Sequence, residues 1–264
     1  MSFVDHLEVL RWHLVRSVSA IIVVGIVAFL NKRFVFDEII LAPKSIDFFT
    51  YKMFCLLSQK LQLGGSFCLE EIPFIVSNIR MTGQFTIHIM VSVVLGIVIA
   101  SPYLIWEIWR FVKPGLHQSE KKHTTAVVFW TSFLFLIGVL FGYYLITPLS
   151  INFLGSYQVS EEVANQITLG SYISTVTMLT LMCGLIFELP LGVYFLSKIG
   201  LITPKLMRTY RKHSIVTILV LAAIITPPDV VSQLLISLPL FLLYEISIYI
   251  SASVVKKSKT VDDD

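Results

Sequence analysis

The sequence lacks the short motifs that mark common catalytic sites. It contains no Gly-x-Ser-x-Gly turn, no His-Glu-x-x-His zinc motif, no Walker A phosphate loop and no Cys-x-x-Cys pair. These absences argue against an enzyme and exclude an ATP-driven transporter for this chain by itself. We therefore predict no catalytic residue, no metal site and no cofactor.

Apolar residues, in contrast, are abundant. Of the 264 residues 56% are hydrophobic, and the mean hydropathy is +0.82. No soluble domain of this size needs so much apolar sequence. We predict an all-α, polytopic membrane protein in which residues 1–264 form a single membrane domain. The net charge of +3 is small, and we predict no nucleic-acid partner.

Six apolar runs are candidates for transmembrane helices. They are residues 14–30, 86–106, 127–146, 172–196, 214–226 and 234–255. The first four approach the roughly 20 residues that cross a bilayer core. We predict that the last two spans are short and that a tight turn at Thr226 to Asp229 joins them.

The distribution of basic residues predicts the orientation. Fourteen of the 20 Lys and Arg residues lie at the N-terminus up to Arg16, in the loops after spans two and four, or in the C-terminal tail. The other six all lie in residues 31–84, called the outer segment below. The positive-inside rule therefore places both termini in the cytoplasm.

The outer segment contains features of its own. Ala42 and Pro43 resemble a helix end stopped by proline, and Tyr51 to Leu63 has the apolar spacing of an amphipathic helix. Cys55 and Cys68 both lie here, where an oxidising compartment would permit a disulfide. Connectivity cannot be read from sequence, so the pairing stays open.

Glu188 is the most informative acidic residue, because it lies within an otherwise apolar span. A lone carboxylate at that depth costs roughly 3 kcal/mol on insertion scales, which indicates function. Pro190 removes a backbone donor close by and is expected to bend or weaken the helix. One explanation is a proton-coupled secondary transporter with Glu188 as the proton carrier. Such folds often contain internal repeats, and none is found here.

Four further acids lie near the predicted cytoplasmic side. Glu8 belongs to an amphipathic N-terminal segment, Glu107 ends span two, Glu120 lies in the loop after it, and Glu245 lies in span six. Glu8 with Arg11, and Glu120 with the lysines that follow it, also fit exposed ion pairs worth roughly 0–1 kcal/mol.

Several segments of the chain carry a family resemblance. They are HLEVLR at 6–11, AP at 42–43, WRFVKPGL at 109–116 with EKK at 120–122, FELP at 187–190 and TPPDVVSQ at 226–233. Together they resemble the TatC subunit of the twin-arginine protein translocase, over nearly the whole chain and in order. The resemblance implies a cup-shaped bundle of six helices in the inner membrane, with both termini in the cytoplasm.

The same resemblance implies a function and partners. TatC proteins bind the paired arginines of a signal peptide, assemble with single-span TatA and TatB proteins, and help to export folded cargo with the proton motive force. A homo-oligomer within that complex and contact with the lipid bilayer are expected. A non-transporting membrane scaffold is a further alternative.

Roles for individual residues also follow from the resemblance. Glu120 and Phe111 match positions that meet the signal peptide. Glu188, with Pro190 beside it, matches the intramembrane acid that faces partner helices. The outer-side positions tied to structure and assembly are Pro43, Asp229 and Gln233.

One position departs from the family pattern. The family commonly reads His-Leu-x-Glu-Leu-Arg, whereas here the position of the acid is occupied by Val9 and the acid is Glu8. One residue rotates a helical side chain by about 100°. Three outcomes stay open: Glu8 still reaches the site, Glu107 substitutes for the missing acid, or Glu120 acts with less help.

Overall fold

A computed structural model of the chain describes residues 3–60, 68, 74–113, 124–160, 165–226 and 230–262. Within them, five helices are long and apolar enough to cross a membrane. These are Leu7–Leu30, Gly83–Val112, Thr125–Ser156, Leu169–Lys198 and Gln233–Lys256. The predicted helical, multi-span membrane fold is confirmed. Two compact units make up the chain: residues 1–136 with 158–177, and residues 137–157 with 178–264.

In the first unit, helix α1 (Phe3–Leu30) packs against α3 (Gly83–Val112). The helices approach closely because glycines lie at their crossing: a Cβ at Gly96 would lie 2.7 Å from the Ile21 carbonyl oxygen. Small residues at such crossings let membrane helices pack by van der Waals contact. The predicted interfacial segment and span one are therefore parts of one continuous helix.

The outer segment also belongs to the first unit. After α1 come a π-helix (Phe34–Ile40), a short 3₁₀ helix (Ala42–Lys44), α2 (Phe49–Lys60) and β1 (Ile75–Ser77). The π-helix does end just before Pro43. The predicted amphipathic helix is α2, and residues 61–63 of that prediction lie outside the described residues. Cys55 and Cys68 form a disulfide, which resolves the pairing left open above.

Two three-residue strands are an addition to the predicted all-α chain. Strand β1 pairs in parallel with β2 (Gln166–Thr168), with Ile75 opposite Gln166. The outer segment is tied further by Tyr172, whose hydroxyl donates to the Ile40 carbonyl oxygen at 3.0 Å. These contacts hold the outer segment to the start of span four.

The rest of the chain passes from the first unit into the second, which has an apolar core that includes Ile146, Leu179 and Leu240. The chain continues from α4 (Thr124–Phe141) through a π-helix (Gly142–Ile146) into α5 (Thr147–Ser156). Span three is therefore longer than the predicted 127–146, because no helix-breaking turn follows Ile146 and Pro148 is tolerated in the first turn of α5. Next come α6 (Leu169–Ile186), α7 (Leu189–Lys198), α8 (Pro204–Thr209), α9 (Arg211–Ile225) and α10 (Val230–Asp262).

The prediction that the last two spans are both short is right for span five and wrong for span six. Helix α9 has 15 residues, about 22 Å at 1.5 Å per residue, which is less than a bilayer core of about 30 Å. Helix α10 has 33 residues and continues through Pro239. Neighbouring helices can satisfy the backbone groups that a proline releases within a membrane, so the helix does not stop there.

The disulfide supports a prediction about the outer segment. Cysteine-reactive polyethylene glycol added to the denatured, unreduced chain should label one cysteine, Cys183, and should label three after reduction. Cys55→Ser and Cys68→Ser should each expose the outer segment to proteolysis equally, because either change removes the same bond. In the chain-entropy description, a bond closing a loop of this size is worth about 3 kcal/mol. Full labelling before reduction would contradict the pairing.

Candidate functional site

Five side chains gather where α1 begins and α3 ends. They form the α1–α3 end cluster: His13, Tyr103, Glu107, Arg110 and Phe111. Helix α3 brings four of them together because positions 103, 107, 110 and 111 recur at spacings of three and four residues, which share one helical face. His13 is supplied by α1.

Glu107 is the centre of this cluster. Its side chain is only 1% exposed, and it accepts a hydrogen bond from Nδ1 of His13. The Tyr103 hydroxyl donates to its second oxygen at 3.0 Å, and Nη1 of Arg110 lies 3.9 Å from that same oxygen. A buried carboxylate is tolerated only when it is paired and hydrogen-bonded, and these contacts meet that condition.

Phe111 follows the cluster along α3. It is half-buried, and its ring meets the edge of the His13 imidazole at a centroid distance of 6.0 Å. Arg110 lies over the Trp106 ring at 5.4 Å. The end of α3 therefore presents a basic and aromatic rim above a buried acid.

The register of Glu8 differs from that of Val9. Val9 precedes His13 by one helical turn, so both lie on the face of α1 that contacts α3, and Val9 is half-buried. Glu8 is exposed and lies 3.8 Å from Nη2 of Arg11. Glu8 thus lies on a different face of α1 from the one that carries His13.

Glu188 occupies a break in span four. Helix α6 ends at Ile186 and α7 begins at Leu189, with Pro190 in the first turn of α7, where its missing N–H leaves no bond unmade. The prediction that the proline interrupts the helix beside the acid is confirmed. Glu188 is half-buried, and neither carboxyl oxygen has a hydrogen-bond partner within the residues that the structure describes.

Glu245 differs from Glu188 although both belong to the second unit. One of its oxygens accepts a hydrogen bond from Nη2 of Arg211 at 2.7 Å, so an ion pair joins α10 to α9. The other oxygen of Glu245 has no hydrogen-bond partner among the described residues, whereas for Glu188 this holds for both oxygens.

The outer-side positions have structural contacts. Pro43 is buried, and its carbonyl oxygen accepts a hydrogen bond from the Tyr51 hydroxyl at 3.1 Å. Burial raises the pKa of Tyr51, so the phenol stays protonated as the donor. Gln233 donates to the Leu219 carbonyl oxygen at 3.1 Å, joining α10 to α9. Glu120 and Asp229 lie outside the described residues, and no metal-binding group of side chains occurs among those described.

Comparisons with known proteins decide the family. The family model of the Sec-independent protein translocase protein TatC matches residues 5–239. The TatC protein of Blattabacterium from Periplaneta americana is 37% identical over 258 residues, 97% of each chain. That of Aquifex aeolicus is 32% identical over 263 residues, 99% of each chain.

The chain belongs to the TatC family. Two crystal structures of the twin-arginine translocase receptor TatC agree with this in three dimensions. One has a TM-score of 0.66 at 30% identity, covering 95% of this chain and 99% of the other. The second has a TM-score of 0.69 at 33% identity, covering 92% and 98%.

Membership of the TatC family confirms several of the predictions. The chain is a multi-span membrane protein of a protein translocase, a transport component rather than an enzyme. The roles of individual residues in TatC function stay predictions, and they are taken up below.

Sequence reasoning missed two members of the cluster, His13 and Tyr103. A signal for His13 was present: it is an ionisable residue at the edge of span one, and Glu107 lies at the matching edge of span two. Two such groups at one membrane face, on spans that neighbour each other along the chain, are candidates for a buried pair.

The cluster supports a stability prediction. Glu107→Ala should destabilise the detergent-solubilised chain by about 3 kcal/mol, since breaking a buried pair leaves His13 and Tyr103 without their acceptor. His13→Ala should have a smaller effect, and the double variant should cost less than the sum of the two. Thermal unfolding of all three variants measures this coupling.

Glu8→Ala is the matched control for that experiment. Its exposed pair with Arg11 should contribute no more than about 1 kcal/mol. Strictly additive effects of the His13 and Glu107 changes would show that the pair does not hold α1 to α3.

Proposed function

We propose that this chain is a twin-arginine signal-peptide receptor and a core subunit of a translocase that exports folded proteins with the proton motive force. The observation that carries the proposal is the α1–α3 end cluster, taken with the similarity to the receptor structures. Helix α3 ends at Val112, and Glu120 follows eight residues later. Eight residues span at most about 28 Å, which limits how far Glu120 can lie from the end of α3.

The chemistry of the ligand explains the acids. An arginine side chain cannot lose its proton and forms bidentate, charge-assisted bonds with carboxylates. Two adjacent arginines therefore need acidic partners on a membrane face that is otherwise basic. Glu120 would supply the principal contact, and Phe111 would supply an apolar surface beside it.

Glu107 and Glu8 would have different parts in such a site. The carboxylate of Glu107 is already engaged by His13 and Tyr103, so it would position His13 and Phe111 rather than meet the guanidinium groups. Glu8 is exposed one register step away from the family position, so its contribution would be secondary.

The proposal extends to partners and location. The chain would lie in the inner membrane with both termini in the cytoplasm, as the distribution of basic residues indicates. TatA-type and TatB-type single-span proteins, and further copies of the chain, would complete the complex. Pro43, Asp229 and Gln233 would support structure and assembly on the outer side.

Glu188 would dock a helix of such a partner. Its unpartnered carboxyl oxygens fit a polar group on a single-span protein, and a hydrogen bond between membrane helices is worth roughly 0.6–2 kcal/mol. The same observation is what favours the second candidate function, a proton-coupled secondary transporter in which Glu188 carries the proton.

The receptor proposal predicts an order of effects among the acids. Glu120→Ala should abolish co-purification of a twin-arginine precursor while the chain stays folded, because the principal contact for the guanidinium groups is lost. Glu8→Gln should weaken precursor binding less than Glu120→Gln does. Pull-down of a tagged precursor, with thermal unfolding as the check on folding, measures both.

A register variant completes this test. Val9→Glu with Glu8→Val moves the acid to the half-buried face of α1 that His13 shares. Retained or stronger binding is expected, since the acid then lies on the side of the cluster.

Unchanged precursor binding by Glu120→Ala would defeat the assignment of Glu120.

Docking at Glu188 predicts a contrast between two substitutions. Glu188→Gln keeps a group of the same size that donates and accepts hydrogen bonds, so export should be largely retained. Glu188→Ala removes it, and much of the export should be lost. Export assays of both variants, with cysteine crosslinking of a single-span partner to α7, decide the matter. A proton carrier predicts complete loss in the Gln variant while the partner still crosslinks.

A further inference from the structure

A cavity of about 510 Å³ lies in the first unit, where three spanning helices begin or end. Lys32 and Arg33 line it just after the end of α1, Gln84 at the start of α3, and Leu169 at the start of α6. The candidate spans end at Leu30 and begin at Gly83 and Leu169. The cavity therefore lies at the membrane boundary, at the depth of lipid headgroups.

Three charged side chains line this cavity without neutralising one another. Lys32, Arg33 and Asp37 are all exposed, and no ion pair joins them to any residue in the described part of the chain. Arg33 and Asp37 are four residues apart in the helical run after α1, a spacing that permits a pair. The opening thus presents two cations and one carboxylate.

A buried polar atom belongs to the same lining. The His88 ring stacks on Phe29 at a centroid distance of 3.9 Å and meets the edge of Phe36 at 5.5 Å. Its Nε2 is buried and has no hydrogen-bond partner within the described residues. Because Nε2 is buried and the two aromatic contacts hold the ring, His88 contributes its ring, and not a hydrogen bond, to the lining.

The rest of the lining is largely apolar, with Phe36, Leu41 and Phe85 beside the charged groups. Cations, a carboxylate and an apolar wall at headgroup depth complement one chemical class of ligand. We propose that this cavity binds the phosphoethanolamine headgroup of a phospholipid. Lys32 and Arg33 meet the phosphate, and Asp37 accepts from the ammonium group.

The single carboxylate decides between lipid classes. A phosphatidylglycerol headgroup has the phosphate but no ammonium group, so Asp37 is left facing an anion. A phosphatidylcholine headgroup has a cation without N–H groups, so it cannot donate to Asp37. Of the three headgroups, only that of phosphatidylethanolamine combines a phosphate for the two cations with an N–H donor for Asp37.

Native mass spectrometry of the full chain in detergent tests the proposal. The probes are phosphatidylethanolamine, phosphatidylglycerol and phosphatidylcholine with identical acyl chains. Phosphatidylethanolamine should bind most tightly. Lys32→Ala with Arg33→Ala should weaken its binding by about 25-fold, since each basic residue at a membrane surface contributes about fivefold. Asp37→Asn should remove the preference over the other two lipids without weakening phosphatidylglycerol binding.

Matched variants keep the test specific. Lys52→Ala with Lys60→Ala removes two cations from α2, outside the cavity lining, and should leave lipid binding unchanged. His88→Phe keeps the ring contacts and removes no contact to the headgroup, so it should leave lipid binding unchanged. Lys32→Gln with Arg33→Gln, which keeps long polar side chains, should reproduce the loss if the alanine pair does not fold.

Three results would overturn the proposal. Equal affinity for the three lipids would remove the selectivity on which it depends. An equal loss in the α2 control would indicate general attraction to charge. Complete displacement by free phosphoethanolamine, at the affinity of the lipid, would show a site for a soluble phosphoester rather than for a phospholipid.

Discussion

The need to satisfy polar groups inside an apolar environment shapes this chain more than any other constraint. Several hydroxyl groups within its spans donate to the helix that carries them: Thr131 donates to the Val127 carbonyl oxygen and Thr177 to that of Ile173. Acids cannot do this, because a carboxylate only accepts. Glu107 recruits His13 and Tyr103, and Glu245 recruits Arg211. Glu188 has no hydrogen-bond partner among the described residues, which is why we propose it as the place where a partner helix docks.

Much of the fold was predictable because a chain can adopt few backbone structures inside a lipid bilayer. Apolar runs of bilayer length become helices, since only a helix satisfies its own backbone there, and the break at Glu188 follows from Pro190. The end of span three and the length of span six were not predictable. Hydropathy locates the apolar part of a helix, whereas Thr147–Ser156 and the end of α10 are helical beyond it. The disulfide needed coordinates, because spacing alone does not determine pairing.

The residues of the candidate site were likewise predictable only in part. The family motif identified Phe111, and Glu107 was one of three alternatives for the acid missing at position 9. The structure places both beside His13. His13 itself was missed because a single histidine near a span edge is normally read as packing. The span-edge positions of His13 and Glu107 made a pair possible, and the crossing of α1 and α3, where Gly96 meets Ile21, brings the two together. The partnership depends on tertiary geometry that no local pattern contains.

Positions 8 and 9 lie on different faces of α1, so an acid at position 8 does not have the surroundings that an acid at position 9 would have. Position 9 shares a helical face with His13, and in this chain Val9 fills it with an apolar side chain of intermediate burial. An acid there would lie one turn from a histidine whose Nδ1 is already committed to Glu107. With valine in place, the buried negative charge of this face comes from α3 alone, and Glu8 remains on the exposed side with Arg11. On the receptor proposal, paired guanidinium groups would then meet acidic partners in two places. One is Glu120 in the loop after α3, and the other is Glu8 on the exposed face of α1. The cluster between them would act by holding the two helices at a fixed spacing.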